Sequence, residues 1–205
     1  AIPHASIQGN IIKDEVGNIK ESLMLNSNII GVAPYIETQG LLSSGTYLKG
    51  VYIFGVDTHY EKNVSTIKDH FIEGSLDSLE ENDYNLVIGD ILAIQLGLRV
   101  GDSVNILVPE TVLGLAGILP RTKKFKITGI FSLGAPEIDQ SYVYLNIDNA
   151  SKLLRTGEYV HGIRIRYSNL FNSKDNIKSD LLRINKEFQV NYKASTWEIS
   201  YGTLF

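Results

Sequence analysis

The sequence predicts an α+β fold in which both chain ends build one unit and a strand-rich middle segment is inserted between them. Three observations carry this. The last segment reads strand, helix, strand. The first segment admits the same order. The middle alternates apolar and polar residues on both sides of one long loop, the signature of two half-buried strands. Terminal units pairing across an insertion fit this order of elements.

The elements follow in chain order. Ile2 to Gly9 reads as a short strand with Ile2, Ala5 and Ile7 apolar, and Ile19 to Leu25 is a weak helical candidate. Ile29 to Val32 follows, and Pro34 then breaks any helix. Tyr47 to Val56 is strand-like with two apolar faces, which predicts burial on both sides. The stretch from His59 to Asn85 is polar and weakly periodic, and Phe71 to Leu76 reads as a turn. Asn85 to Gly89 reads as a short buried strand. Asp90 is the expected cap of a helix that carries Leu92 and Leu96 and stops at Gly97. Leu98 to Asp102 is a turn that feeds a strand over Ser103 to Val108. After the long loop, Phe125, Ile127 and Gly129 alternate with Lys124, Lys126 and Thr128. Ser132 to Asp139 is a turn-rich link, and Ser141 to Leu145 a strand. Asn146 or Asp148 caps a helix through Leu154. Tyr159 to Tyr167 is the cleanest strand, with Ile163, Ile165 and Tyr167 set against Arg164 and Arg166. Ser173 or Asp175 caps a helix with Ile177, Leu181, Ile184 and Phe188 on one face, and Val190 to Trp197 closes with a strand.

The long loop is the unusual feature. Ten residues separate Pro109 from Pro120, where a hairpin usually needs about two to five. Loops run over the surface and are normally polar, yet this one holds Val112, Leu113, Leu115, Ile118 and Leu119, with Glu110 as its only charge. Two arrangements answer this. Either the loop folds back and buries its leucines on its own domain, or it projects and offers an apolar surface to a partner. Each exposed Leu or Ile forgoes roughly 1.5–3 kcal/mol of burial, so a projecting loop needs a use. Gly114 and Gly117 let the tip bend, while Pro109 and Pro120 stiffen the roots. Arg121, Lys123 and Lys124 follow at once, a charged hold beside an apolar hook.

Composition narrows the class. The 205 residues allow one large domain or two small ones, and 43% hydrophobic with 20% charged residues is ordinary for a water-soluble domain. A net charge of −4 gives no electrostatic case for nucleic acid. The chain has no cysteine, which excludes disulfides, thiol catalysis and cysteine metal sites. No apolar run reaches the ~20 residues needed to span a bilayer, and no leader pattern is visible. A start at Ala1 without Met and an end on Gly-Thr-Leu-Phe read as a piece of a longer protein. His4, His59, His70 and His161 are scattered without metal-ligand spacing. Glu137 and Asp139 are the one carboxylate pair that a glycosidase reading could use; on a proline turn such residues more often form caps and turns. There is no nucleophile elbow and no phosphate loop, and no cofactor is expected. Tyr52, Tyr142 and Tyr144 read as sheet residues.

The order of motifs resembles a known family. Val87-Ile88-Gly89-Asp90, then Leu92-Ala93, Leu96-Gly97, Gly101-Asp102 and Val104, are similar to the periplasmic region of MacB-like ABC-transporter permeases. Pro109 and Pro120 around an apolar loop, then Phe125, Ile127 and Gly129-Ile130-Phe131, resemble more narrowly the lipoprotein-releasing permeases of the Lol type, LolC-like or hybrid. Glu137 and Asp139 ahead of Tyr144-Leu145-Asn146, Ala150 and Leu153-Leu154 fit that pattern, as do Trp197, Gly202 and Leu204-Phe205 at the end. The resemblance implies a porter-like α+β subdomain from residues 1–57 and 159–205, and an inserted sabre-like subdomain over 58–158 that carries a hook at 109–120. It implies a non-catalytic domain of an inner-membrane permease, facing the periplasm and held by flanking membrane helices. A separate cytoplasmic ATPase and a second permease subunit complete the transporter. Its substrates are lipoproteins, handed to the periplasmic chaperone LolA.

On this resemblance the hook comprises Pro109, Thr111, Val112, Leu113, Gly114, Leu115, Ala116, Ile118, Leu119 and Pro120. The apolar tip falls at Leu115 or Ala116; in the second case Leu113 or Leu115 supplies the bulky anchor. The pad beside the hook falls at Asn105, Thr122 and Lys123. Asn105 stands where the family pattern has a cation, with Arg121 and Lys124 nearby to compensate. The alternative is the periplasmic domain of a MacB-like efflux transporter that contacts an adaptor protein.

Overall fold

The computed structural model describes residues 4–80, 83–109 and 120–196. These form two compact units. One comprises residues 1–35, 59–66 and 158–205, the other residues 36–58 and 67–157.

In the first unit four strands lie in the order β10, β1, β9, β2. β1 spans Ala5–Ile12, β9 Tyr159–Tyr167 and β10 Lys193–Thr196. β2 spans Ile29–Ser44, and its residues 29–35 belong here. All three pairings are antiparallel, with Ile7 opposite both Ile163 and Ala194. Alternation places Ile7, Ile11, Ile163 and Ile165 in the core. α1 (Val16–Leu23) adds Ile19 and Leu23 to the buried set, and α6 (Ser173–Glu187) adds Ile177 and Ile184. The α1 and α6 ends are tied by polar bonds. Ser22 donates to Glu187 at 2.6 Å, and the Asn26 amide donates to Asp180 at 3.0 Å. The buried Asp180 also accepts from the Tyr167 hydroxyl at 2.8 Å; burial, then the Asp180 charge, raises the pKa of that hydroxyl. α2 (Thr58–Val64) brings the fully buried Glu61 to Arg164 at 2.5 Å. The Arg164 guanidinium also lies 5.6 Å from the centre of the Tyr35 ring.

The second unit holds the remaining strands. β3 (Tyr47–Val56) runs parallel to β8 (Tyr142–Asn146), which pairs antiparallel with β5 (Asn85–Gly89). β7 (Arg121–Phe131) runs parallel to β5 and carries the short edge strand β4 (Phe71–Gly74) on its other side. β6 (Ser103–Val108) pairs with β7 and with the far half of β2. Val56, Ile67, Leu76, Leu79, Val87, Phe131 and Tyr144 form a buried cluster on this sheet. α3 (Asp90–Leu96), α4 (Pro136–Asp139) and α5 (Ile147–Leu154) complete the unit.

Several local expectations shift for physical reasons. β2 runs straight through Pro34. Pro34 lies opposite Ile163 in the register with β9, and its fixed φ is compatible with extended backbone. Phe71 to Gly74 is a strand rather than a turn, because β7 supplies a partner 55 or more residues away in sequence (Phe71 with Phe131, Gly74 with Gly129). The cap of α3 is Gly89; Asp90 is the first helical residue, and its carboxylate accepts the Ile91 N–H at 2.7 Å. Gly97 ends this helix at a φ of 62°, a left-handed value that glycine adopts without strain. Asn146 caps α5 by accepting the Asp148 and Asn149 N–H groups. α6 starts at Ser173, with Asn172 as its cap and no side-chain bond there. The expected division, 1–57 with 159–205 against 58–158, differs from the observed units in the placement of residues 36–57, 59–66 and 158. The far half of β2 pairs with β6 and residues 52–56 of β3 pair with β8, while α2 is tied to β9 through Glu61 and Arg164.

Candidate functional site

The long loop joins two paired strands of the second unit. The β6–β7 register runs from Ser103 opposite Lys126 to Val108 opposite Arg121. Pro109 and Pro120 are both exposed and stand immediately beyond that last pair. The loop therefore starts and ends on adjacent strands. Of the expected hook residues, Thr111, Val112, Leu113, Gly114, Leu115, Ala116, Ile118 and Leu119 lie outside the described residues.

The roots are fixed by burial. Val104, Ile106, Val108, Phe125 and Ile127 are all buried. At roughly 1.5–3 kcal/mol for each such side chain, these roots are anchored whatever the loop does. β6 is also paired on its other flank, Leu41 to Leu107 and Leu42 to Ile106. That approach is close at Gly40: a Cβ there would lie 2.6 Å from the Leu107 carbonyl oxygen and 2.7 Å from an Ile53 methyl. Any larger residue would push β2 away from the base of the hairpin.

Directly opposed residues in an antiparallel pair point to the same side, so the register sorts the pad residues. Asn105 lies opposite Lys124 and Ser43, and Leu107 lies opposite Thr122 and Leu41. Ser103 lies opposite Lys126. This is the open face: Asn105, Thr122, Lys124 and Lys126 are exposed, and Leu41 keeps 38% of its surface. Arg121 and Lys123 lie on the other face, opposite the buried Val108 and Ile106. The pad residues expected from the sequence, Asn105, Thr122 and Lys123 with Arg121 beside them, thus do not share one face. The Arg121 guanidinium donates to the Leu153 carbonyl oxygen at 3.1 Å, at the C-terminal end of α5, where a positive charge is favoured. The Lys123 ammonium stands 4.1 Å from the centre of the Tyr84 ring, which packs edge-on against Phe125. Leu41, Ser43 and Lys126 are the residues that sequence reasoning missed. Lys126 follows from the Lys124 alternation; Leu41 and Ser43 depend on a strand pairing more than sixty residues away.

The carboxylate pair has a structural role. Asp139 is 2% exposed, and its two oxygens accept the N–H groups of Leu133 at 2.8 Å and Ala135 at 3.1 Å. Glu137 is exposed, and its carbonyl accepts from the Ser141 hydroxyl. A carboxylate filled by its own turn is a loop former, not a free nucleophile or base. The half-buried His4 accepts the Tyr167 N–H at 3.1 Å, and burial, then the Arg166 charge, lowers its pKa. Among the described residues no group of three His, Asp or Glu side chains could hold a metal ion, and no helix is long and apolar enough to cross a membrane.

Comparison with known proteins agrees with this architecture. The family model of the MacB-like periplasmic core domain matches residues 5–178. The chain is 34% identical over 183 residues to the lipoprotein-releasing system transmembrane protein LolC of Xylella fastidiosa strain Temecula1, covering 89% of this chain and 43% of that protein. It is 25% identical over 210 residues to the corresponding LolE of Haemophilus influenzae, covering 100% of this chain and 49% of that protein. The chain therefore spans less than half the length of these curated relatives. Among solved structures, the periplasmic region of MacB from Actinobacillus actinomycetemcomitans superposes with a TM-score of 0.61 at 14% identity, covering 98% of this chain and 92% of that one.

Proposed function

The chain belongs to the MacB-like periplasmic core domain family, and we propose that it is the periplasmic domain of an inner-membrane ABC-transporter permease that releases lipoproteins and passes them to the chaperone LolA. The observation that carries this reading is the β6–β7 hairpin. Its roots are buried and paired up to Val108 and Arg121, and beyond them the sequence runs on through ten mostly apolar residues. The similarity to LolC supports the lipoprotein-releasing role.

In this reading Leu113, Leu115 and Ile118 of the hook enter an apolar surface of the chaperone, with Pro109 and Pro120 as stiff roots. Interface energy concentrates in a few such anchors. The pad is the open face at the hook's base: Asn105 and Thr122, with Lys124 and Lys126 as its cations. Arg121 and Lys123 hold the root. The domain itself is non-catalytic: its relatives are transmembrane components of the releasing system, and ATP hydrolysis falls to a separate cytoplasmic subunit. A second permease subunit and flanking membrane helices complete the transporter.

A second reading, from the same family, is the periplasmic domain of a MacB-like efflux transporter that contacts an adaptor protein. Calorimetric titration of the chain with purified LolA and with a MacB-type adaptor separates the two. Saturable binding to LolA supports the first reading; binding to the adaptor alone replaces it with the second.

A further inference from the structure

The first unit contains an open cavity of about 550 Å³, remote in sequence from the hook and independent of the reading above. It forms where β1 leads into α1 and the chain leaves α6. Its aromatic walls are Tyr159, Phe188 and Tyr192, and Ile12 and Ile19 line its apolar floor. Among the described residues Glu15 is the only charged one in the lining. The volume falls in the range of small-ligand sites, roughly 300–1,000 Å³.

The walls are held in place. Tyr159 lies opposite Ile12 in the β1–β9 pairing. The backbone of Tyr192 is gripped at both ends by the Asn185 side chain, which accepts the Tyr192 N–H at 2.9 Å and donates to the Tyr192 carbonyl at 3.1 Å. Glu15 is half-buried at the start of α1, with the Asn18 amide at 3.5 Å. Burial raises the pKa of the Tyr192 hydroxyl, and the Glu15 charge adds to that, so carboxylate and phenol are electrostatic neighbours. Apolar surface stays open at the site: Tyr159 is 39% and Ile12 37% exposed.

We propose that this cavity binds a lysine side chain. The chemistry matches group by group. An ammonium ion is attracted to aromatic faces and gains more where a carboxylate completes the site. The four-carbon stem of lysine covers apolar surface such as that of Ile12 and Ile19. An amine-headed phospholipid presents a similar ammonium, but its phosphate would meet Glu15 with no lining cation to offset it.

The test is a ¹⁵N NMR titration of the 205-residue chain with acetyl-Ala-Lys-Ala-amide, its norleucine analogue and phosphoethanolamine. The expected result is saturable shifts at Gly9, Asn10, Ile19 and Asn191 with the lysine peptide only. Glu15→Gln should weaken that binding at least tenfold, and Tyr159→Leu should weaken it while leaving the rest of the spectrum in place. Equal binding of the norleucine peptide overturns the proposal. So does unchanged binding by Glu15→Gln, tighter binding of phosphoethanolamine, or the absence of saturable shifts with the lysine peptide.

Discussion

Removing the Asp139 carboxylate should unravel the link between β7 and β8. Asp139 is 2% exposed and accepts two backbone N–H groups, from Leu133 and Ala135. A hydrogen bond to a charged group contributes about 1.5–3 kcal/mol, so two contribute about 3–6 kcal/mol. Leu133 and Ala135 are only half-buried, and water can replace part of the loss. The expected cost of Asp139→Ala is therefore near the lower end, about 3 kcal/mol. For a chain of this size, about 2–4 °C in Tm goes with each kcal/mol, giving a fall of about 6–12 °C. Asp139→Asn keeps one carbonyl acceptor and should lose about half as much. Thermal unfolding followed by circular dichroism reads both variants. A fall of less than about 2 °C for the alanine variant would refute the reasoning. An Asn variant as damaged as the Ala variant would show that charge, not the number of acceptors, holds the turn.

Other consequences are open to measurement. Arg121→Ala removes the bond to the Leu153 carbonyl at a half-buried position and should cost about 1 kcal/mol in urea unfolding; no loss would free Arg121 for a partner. Lys124→Ala and Lys126→Ala are surface changes and should leave stability within about 0.5 kcal/mol, yet slow association with LolA and flatten its salt dependence; unchanged salt dependence would remove them from the pad. His4 has a folded pKa below its ordinary 6.5, so the unfolded chain takes up its proton first as pH falls. Stability is then full above about pH 6.5 and declines below it until the folded pKa is passed. His4→Gln should reduce that decline, and an unaltered pH profile would contradict the assignment.

What was legible in the sequence was local. β3, β5 and β9 follow from alternation or from short apolar runs with turn residues at their ends, because burial of one or both faces writes itself into period two. The Asn146 cap and the Gly97 stop are equally local, since the groups that they satisfy lie within a few residues. β4 and the passage of β2 through Pro34 depend on partners far away in sequence, and no local pattern encodes them. The pad shows the same limit. Its residue types were visible around the hook, but the faces were not. Only the register of β6 against β7 and β2 shows that Asn105 and Thr122 stand with Lys124, while Arg121 and Lys123 turn toward Leu153 and Tyr84.

The central claim is that the apolar hook recruits the chaperone, and the most direct test is the affinity of this chain for LolA, wild type beside Leu115→Asp, with circular dichroism as the control for folding. A charge at the anchor should abolish binding while the fold survives. Retained affinity in a well-folded Leu115→Asp protein would contradict the account.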